Sequence, residues 1–508
     1  MRERFYNVRN FGAAGDGTTL DTAAIQAALD ACKDHGGRVF LPNGEYRISS
    51  VRIYSNTEVC CEPNARIIAD TEEANYKAPR GKYDQHYPRD AKALIGRECN
   101  DTSNVLHALI LSTKRGMTDS VLFAEGAENI RITGGEIFGN AEHFFTLGED
   151  EDGTRFVPKL FRPQLIVLKR CRNVQITDLR LLDAPYYNIR AIECESVEFD
   201  HLTMQTNLRY INTDGINVSA CKKVLISGCR FQTGDDCIAI SNGEFTPLLQ
   251  DCEDITVSNC IGRTKANLVR VFNGIEADLS VDAGLGTELQ LATARAHAVR
   301  NVRISDCTLE EGACAINVIG VLGLIENVEF SHITAKHAKT AIFMVIQKEG
   351  KIRDITIRDT TCHADGLATI QGTTKDSIRG VRLENCVFDI KPIPRVFGNG
   401  LIDPLIHYWL AASAPYNLYV RHATDVSVSG TCVRWETGGL CGIEKFASPE
   451  NRPKEYEHLW REDMMPSDKF PCVDAVDVCG LRICKLEATG YQSKQAVRTR
   501  MVEDLTIE

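Results

Sequence analysis

A short motif that recurs along most of the chain constrains its fold more than any other feature. Each copy places a polar residue, most often Asn or Asp, before an aliphatic residue and a stretch of alternating polarity. The copies begin at Asn129-Ile130, Asn173-Val174, Ser196-Val197, Lys223-Val224, Asp254-Ile255, Asn301-Val302, Asn327-Val328, Asp354-Ile355, Gly380-Val381, Asp425-Val426, Asp477-Val478 and Asp504-Leu505. The shorter intervals run from 23 to 31 residues and the longer ones are near twice these, so a coil with a period of about 22 to 31 residues accounts for nearly all of them.

Short strands, period-2 alternation and the absence of a helical repeat predict an all-β fold, a right-handed parallel β-helix. An α-solenoid would need a 3.6-residue periodicity within each unit, which is missing. Because a repeat architecture can extend without a break, we expect residues 1–508 to form one β-helix domain.

The amino-terminal segment, residues 5–46, differs from the repeats. Asp21 is a plausible N-cap for a helix with apolar residues at helical spacing, and Gly36-Gly37 ends it before a short strand over 38–42. The apolar positions are Ala24, Ile25, Ala28, Leu29 and Cys32. A single helix ahead of many strands predicts a cap that covers the open end of the coil.

Four segments interrupt the rhythm and are expected to be loop insertions, at about 73–107, 141–161, 388–420 and 436–470. The last three contain aromatic residues, among them Phe144, Phe145, Tyr408, Trp409, Tyr416 and Trp460. Such residues either stack on sugar rings or pack the loops onto the coil, and we favour packing.

Composition narrows the classes of partner. Of 508 residues, 43% are hydrophobic and 25% charged, which is typical of a globular protein with a substantial core. The net charge of -11 argues against nucleic acid and anionic membrane surfaces. No signal-like apolar run follows the start of the chain, and no stretch approaches the roughly 18 to 20 apolar residues of a membrane helix.

The 20 cysteines are spread through the chain, and several fall at one place in the repeat, as Cys229, Cys260, Cys307 and Cys386 do. This pattern favours small buried thiols stacked in a core over a disulfide framework. We therefore expect a reducing, cytoplasmic setting.

Two acidic segments, Asn212–Gly215 and Gly234–Cys237, are the best clue to function. Aligning Asp214 with Asp236, 22 residues later, puts them in register on adjacent turns, about 4.8 Å apart along the axis, with Asp235 beside Thr213. Like charges this close repel, and one of them tends to take up a proton. A protonated acid beside an ionised one is what hydrolysis of a glycosidic bond needs. The alternative is a ladder of turn residues with no chemistry.

The residues of these segments resemble those of the family 28 glycoside hydrolases, the polygalacturonase family. Arg162-Pro163 ahead of a strand and the segment over 181–190 add to the resemblance. The amino-terminal cap is similar to that of pectate-lyase-like β-helix proteins. The resemblance covers roughly residues 5–390, and its centre at 162–243 is the most specific part.

The resemblance implies hydrolysis with inversion at the anomeric carbon. By the family's pattern, Asp235 would be the general acid that protonates the leaving oxygen, and Asp214 and Asp236 would hold and activate water. Carboxylates one turn apart are closer than the roughly 6.5 to 9.5 Å typical of inverting enzymes. We follow the family on stereochemistry, because side-chain direction alters the separation.

The chain departs from the family's pattern at two points. The family's Gly-His-Gly segment, one turn beyond the doublet, is replaced by a stretch without histidine around 262–271, and its Arg-Ile-Lys segment should fall near Ala313–Val318, where no basic residue stands. Asn212 is assigned to substrate binding, and Lys265, Arg270 and Arg190 are candidates to bind a substrate carboxylate. The alternative for these three is an ordinary outward-facing polar position.

The leading interpretation is a glycosidase that cleaves an O-glycosidic bond in an oligosaccharide or polysaccharide of pectin type or a related sugar. No cofactor and no metal site are predicted. One alternative is a polysaccharide lyase on the same coil, which would use calcium and a basic residue to abstract a proton beside a uronate. Another is a β-helix that binds carbohydrate without catalysis.

Overall fold

The structure, a computed structural model, describes residues 4–76, 119–148, 155–159, 161–242, 250–274, 297–346, 348–391, 417–436, 471–491 and 495–508. Of the strands in these residues, 37 form one continuous parallel sheet, wound into a right-handed coil. Each turn of the coil contributes to three sheet faces, which we call the first, second and third face in the order in which the chain passes through them. The predicted all-β, right-handed parallel β-helix is confirmed.

The early strands of the first face are β5 (Val51–Arg52), β8 (Ser120–Glu125), β13 (Gln164–Lys169), β16 (Ile189–Ile192), β19 (Ile216–Ser219), β22 (Ile238–Asn242) and β25 (Val269–Asn273). The second face carries β1 (Phe5–Asn7), β3 (Gly37–Leu41), β6 (Thr57–Cys61), β9 (Glu128–Thr133), β14 (Arg172–Thr177), β17 (Glu195–Asp200), β20 (Lys222–Ser227), β23 (Cys252–Ser258), β26 (Ala298–Ser305), β28 (Leu324–Ser331), β30 (Lys351–Arg358), β32 (Ile378–Glu384) and β39 (Thr506–Ile507).

The third face carries β2 (Asp16–Leu20), β4 (Gly44–Ile48), β7 (Ala65–Ala69), β10 (Glu136–Phe138), β15 (Arg180–Leu182), β18 (Thr203–Gln205), β21 (Arg230–Thr233), β24 (Ile261–Thr264), β33 (Val387–Ile390), β35 (Cys432–Trp435) and β37 (Glu487–Thr489). In the later turns some strands span two faces. The strands β27 (Thr308–Gly320), β29 (Thr334–Ile346) and β31 (Thr361–Gln371) run from the third face onto the first, and β34 (Leu418–Ser429), β36 (Val473–Cys484) and β38 (Val497–Glu503) run from the first onto the second.

In each second-face strand that contains the repeat motif, the polar residue of the motif has a left-handed backbone conformation. In the confirmed copies it has a φ between 51° and 60°, except at Gly380, where φ is 76°. Asn and Asp tolerate this region best among residues with a side chain, which explains their recurrence. The aliphatic residue that follows points inward, and Ile130, Val174 and Val197 are among the buried residues of one continuous core.

We call this stack of left-handed residues the left-handed row. Its members, in pairing order, are Asn56, Asn129, Asn173, Ser196, Lys223, Asp254, Asn301, Asn327, Asp354, Gly380, Asp425, Gly480 and Asp504. The motif assignment Asp477-Val478 was wrong: Val426 pairs with Leu481, so Gly480 occupies the row, and Val478 pairs with Ala423.

The helix α1 (Thr22–Asp30) follows Asp21 and buries Ile25, Ala28 and Leu29 in the common core. Asp21 stands at the N-cap position, but its carboxylate accepts hydrogen bonds from the backbone N–H groups of Ala14 (2.6 Å) and Gly15 (2.8 Å) and not from the helix. It therefore fixes the preceding turn against the helix. Short 3₁₀ helices lie at Val8–Phe11, Glu73–Asn75 and Ala141–Phe144.

The predicted cysteine stack is confirmed. Cys229, Cys260, Cys307 and Cys386 are buried, and the backbone N–H of Cys260 donates to Sγ of Cys307 at 3.5 Å. The cysteines in the part of the chain that the structure describes are free thiols. Within those same residues, no helix is long and apolar enough to cross a membrane.

Only part of the predicted insertions lies within the described residues. Within 141–161, β11 (Phe145–Gly148) and β12 (Arg155–Pro158) form an antiparallel hairpin. Phe145 stacks on Tyr210 with ring centroids 4.2 Å apart, and Phe144 packs edge-on against Phe161. These two phenylalanines therefore pack the insertion onto the coil. Tyr408, Trp409, Tyr416 and Trp460 lie outside the described residues, as do most of 73–107, 388–420 and 436–470.

Candidate active site

The two acidic segments lie at the corner where the chain enters the first face. Ile216 of β19 pairs with Ile238 of β22, so Asp214 and Asp236 stand side by side on adjacent turns, as the sequence predicted. The Gly234 N–H donates to Oγ1 of Thr213 at 2.9 Å, which sets Asp235 beside Thr213. A Cβ at position 234 would overlap the Tyr210 carbonyl oxygen, so this approach requires glycine.

The three carboxyl groups converge. One oxygen from each of Asp214, Asp235 and Asp236 lies within 4.8 Å of the other two. All three side chains are buried, with residue exposures of 5%, 6% and 1%. This acidic cluster combines burial with mutual repulsion, the two conditions under which carboxyl groups keep a proton.

Asp214 responds most clearly to these surroundings. Burial, and then the neighbouring Asp236 carboxylate, hold the pKa of Asp214 well above its usual range, while a hydrogen bond from Asn217 acts in the opposite direction. Its Oδ1 atom has no hydrogen-bond partner. Burial and the neighbouring carboxylate therefore favour the protonated form of Asp214.

Asp236 is held as an acceptor by the next turn of the coil. Its Oδ1 accepts hydrogen bonds from the Asn267 side chain at 2.6 Å and the Asn267 backbone N–H at 3.2 Å. Its Oδ2 lies 3.4 Å from Nη1 of Arg270. Sequence reasoning missed Asn267, although the signal was available: it stands one turn beyond Asp236, in register with it.

Asp235 is positioned through Asn212. The Asn212 Nδ2 lies 3.4 Å from Oδ2 of Asp235, and the Asp236 backbone N–H donates to Oδ1 of Asp235 at 2.9 Å. Asn212 itself has a left-handed φ of 54°. From the sequence, Asn212 was predicted to bind substrate; in the structure its side-chain amide contacts the carboxyl group of Asp235.

Behind Asn212 lies Arg162, a fully buried arginine. Its guanidinium donates to the carbonyl oxygen of Ile211 at 2.9 Å and to Oδ1 of Asn212 at 3.2 Å, and it lies over the Tyr186 ring at 4.6 Å. Burial lowers the pKa of Arg162 to about 10, so it remains charged at neutral pH. The contact with Asn212 joins residues that are 50 positions apart in the sequence, and no local motif predicts it.

Of the three basic candidates, the structure brings Arg270 to the cluster, and Arg190 stands in the same outward column. Arg190, Asn217, Ala239 and Arg270 are in register on successive first-face strands. Three strand spacings put the two arginines about 14 Å apart, on either side of the Asp214–Asp236 level. Among the described residues, Lys265 makes no hydrogen bond or ion pair with the cluster. The pKa of Glu311 is raised by burial but lowered overall by its hydrogen bond with Arg263 and, to a smaller extent, by the charge of Lys265.

The three carboxylate oxygens are close enough to bind a cation. However, Asn267 and Arg270 already direct donors at both oxygens of Asp236. A cationic guanidinium at this distance opposes a second cation. The donor set therefore fits a site that moves protons better than a site that holds a metal.

Comparisons with known proteins agree with this geometry. Residues 105–267 match the model of glycosyl hydrolases family 28, and residues 5–136 match that of rhamnogalacturonase A/epimerase, pectate lyase-like. Over this matched stretch the chain resembles the family 28 glycosyl hydrolases. The matched region contains Arg162, Asn212 and the whole acidic cluster.

The similarity to individual known proteins is partial. A probable polygalacturonase from Vitis vinifera is 26% identical over 240 residues, which is 46% of this chain and 43% of that protein. Alginate lyase 7 from Azotobacter vinelandii is 52% identical over 64 residues, 12% of this chain and 8% of the relative. The chain thus spans less than half the length of these relatives.

Among solved structures, a family 28 exopolygalacturonase from Yersinia enterocolitica covers 99% of this chain with 78% of its own, at a TM-score of 0.56 and 17% identity. At that identity the likeness shows the fold alone, a right-handed parallel β-helix, and leaves the activity to be argued from the site.

Proposed function

We propose that the protein hydrolyses an O-glycosidic bond in a pectin-type oligosaccharide or polysaccharide by acid–base catalysis. The observation that carries this proposal is the acidic cluster: three buried carboxyl groups on adjacent turns, with oxygens within 4.8 Å, in a chain related to family 28. Two roles are needed, a proton donor to the leaving oxygen and a base that activates water.

Asp235 is the proposed general acid. It is the first residue of the doublet, and Asn212 holds one of its oxygens while the Asp236 backbone holds the other. Asp236, which Arg270 and Asn267 favour as an anion, is the proposed base that orients water. Asp214, whose pKa is raised by burial and by the neighbouring Asp236, completes the proposed water site.

The departures from the family's pattern have structural counterparts. Asn267 occupies the turn beyond the doublet and donates to Asp236, where the family's segment would supply a histidine. Asn317 pairs with Arg270, so Arg270 stands one strand before the place of the missing basic segment. We propose that Arg270, with Arg190 on the other side, binds the carboxylate of a uronate.

Changing Arg270 tests this substrate assignment. Arg270→Lys keeps the charge and loses the planar fork, whereas Arg270→Gln loses both. If a uronate is bound, we expect KM for tri-galacturonate to rise roughly tenfold in Arg270→Gln and less in Arg270→Lys. An equal rise for a neutral galacto-oligosaccharide would contradict uronate recognition.

The stereochemical course is a further proposal. Family 28 resemblance implies inversion, while the oxygens of the cluster are closer than the roughly 6.5 to 9.5 Å typical of inverting pairs. Proton NMR of the first product formed decides between them: the opposite anomer supports inversion, and the same anomer supports a retaining mechanism.

The second candidate is eliminative cleavage, and the short match to alginate lyase 7 favours it. A lyase produces an unsaturated sugar that absorbs in the ultraviolet, whereas a hydrolase releases reducing ends without this absorbance. Following both signals on a panel of pectic, alginate and neutral oligosaccharides tests the proposed function. Absorbance that rises in step with reducing ends would overturn hydrolysis.

A further inference from the structure

A second site lies on the outer side of the second face, away from the acidic cluster. It is a groove of about 350 Å³ that crosses β30, β32, β34 and β36. Four arginines line it, together with two aspartates and two glycines of the left-handed row. The four arginines are Arg353, Arg379, Arg382 and Arg482. With Asp354 and Asp425 as its acidic residues, the groove has a net charge of +2, in a chain whose net charge is -11.

The groove exists because the left-handed row loses its side chains there. Elsewhere in the row, polar side chains stack into a ladder: Asn173 donates to Asn129 at 2.7 Å, and Asn327 donates to Asn301 at 2.7 Å. At Gly380 and Gly480 the ladder is interrupted. A Cβ at Gly380 would lie 2.6 Å from Oδ1 of Asp354, and one at Gly480 would lie 2.8 Å from Oδ1 of Asp425. The row has no side chain of its own at these two levels, which leaves a trough between the arginines in which the Asp354 and Asp425 carboxylates lie over the glycines.

The arginines fall into two kinds. Arg353 and Arg379 have partners: the Arg353 guanidinium donates to the carbonyl oxygens of Ile352 and Ser377, and Nε of Arg379 lies 2.9 Å from Asp425. Arg382 and Arg482 are exposed and have no hydrogen bond or ion pair within the described part of the chain. They are two strands apart, about 9.6 Å, with Ser427 between them.

We propose that this groove binds an anionic polysaccharide, a polyuronate, at a site separate from the acidic cluster. A guanidinium presents a planar fork of donors that matches a carboxylate, and two forks about 9.6 Å apart match repeated carboxylates along one extended chain better than a single small anion. The overall negative charge disfavours nucleic acid, whose dense phosphates require many cationic contacts. This inference rests on the proposed function for the choice of a uronate.

The groove is tested by binding, without turnover. Polygalacturonate is titrated into the Asp235→Asn protein by calorimetry, and the measurement is repeated with Arg382→Ala/Arg482→Ala added. We expect the added changes to weaken binding roughly tenfold or more. The matched control is Arg230→Ala/Arg303→Ala, which removes two exposed arginines outside the groove. It should bind as the parent does. Equal weakening of binding in both double variants would show that binding depends on the overall charge and not on the groove, and would overturn the proposal.

A second variant keeps the charges and fills the trough. Gly380→Asn suits the left-handed φ of 76°. Its Cβ would lie 2.6 Å from Oδ1 of Asp354, so that carboxylate must rotate aside before the new amide can donate to it, as Asn301 donates to Asp254 at 3.1 Å. We expect weaker binding of polygalacturonate and no change for a neutral galactan. Tighter binding of single-stranded RNA than of polygalacturonate would overturn the uronate assignment. Because turnover is not read, a wild-type protein that fails to hydrolyse pectic oligosaccharides would contradict the proposed function and leave the groove result standing.

Discussion

The acidic cluster and the arginine groove lie on two faces of the same coil and are built in opposite ways. The cluster concentrates carboxyl groups at a corner where successive turns bring Asp214 and Asp236 together, and burial raises a pKa there. The groove arises where the left-handed row loses side chains at Gly380 and Gly480, and its free arginines remain in solvent. On the same β-helical backbone, one candidate site depends on carboxyl groups that are brought together, and the other depends on side chains that are missing from the left-handed row.

The largest effect is expected from changing Asp236, the proposed catalytic base. Asp236→Asn leaves the donors of Asn267 and Arg270 facing an amide and removes the charge that activates water. We expect kcat to fall by about 10²- to 10⁴-fold, the usual contribution of a positioned acid or base. Release of reducing ends from tri-galacturonate measures it, with Asp365→Asn, a buried aspartate outside the cluster, as the control. Equal losses in both variants would show that folding, not catalysis, is affected.

Because the pKa of Asp214 is raised, its contribution to the free energy of unfolding should depend on pH. Its pKa is raised in the folded protein above the unfolded value of about 3.9, so its contribution is fully present below that value and is lost as pH rises through the folded pKa. Asp214→Asn cannot ionise, so its unfolding free energy relative to wild type should increase from acid to neutral pH. Urea denaturation at about pH 4 and about pH 8 tests this. A difference that stays constant between the two pH values would contradict the burial argument.

Asn212 should have a smaller, positioning effect. It joins Arg162 to Asp235, so Asn212→Ala removes a hydrogen bond to the proposed acid and leaves the carboxyl group itself intact. We expect kcat to fall about tenfold, consistent with one hydrogen bond, and the acid-dependent limb of the pH–rate profile to move. Asn301→Ala, in the exposed ladder, controls for stability. An unchanged pH profile would assign Asn212 a structural role only.

The smallest effect is expected in the groove. Gly380→Asn changes shape without changing charge, and we expect it to weaken polygalacturonate binding about threefold, less than one full hydrogen bond or ion pair. Tighter binding than in the parent protein would show that the trough is not the contact surface. The comparison between the two sites is sharpened if this variant alters binding of the polymer and Asp236→Asn does not.

The sequence predicted the coil because its motif marks one backbone event, the left-handed residue before each inward-facing aliphatic side chain. It failed at Asp477 for the same reason: Asp477 also adopts a left-handed φ, of 55°, but in a different row. The register of the repeat alone predicted that Asp214 and Asp236 lie side by side. The same register also predicts that Asn267 lies beside Asp236, one turn further along. The role of Arg162 could not be read from a motif, because its contacts with Ile211 and Asn212 depend on how the loop over 206–215 folds back.

The central claim, that the acidic cluster cleaves glycosidic bonds with Asp235 as the acid, is tested most directly by Asp235→Asn. The variant and the wild-type protein are compared for tri-galacturonate binding by calorimetry and for release of reducing ends. We expect the variant to retain binding while its turnover falls by about 10²- to 10⁴-fold. A variant that binds the oligosaccharide and cleaves it at the wild-type rate would contradict the claim.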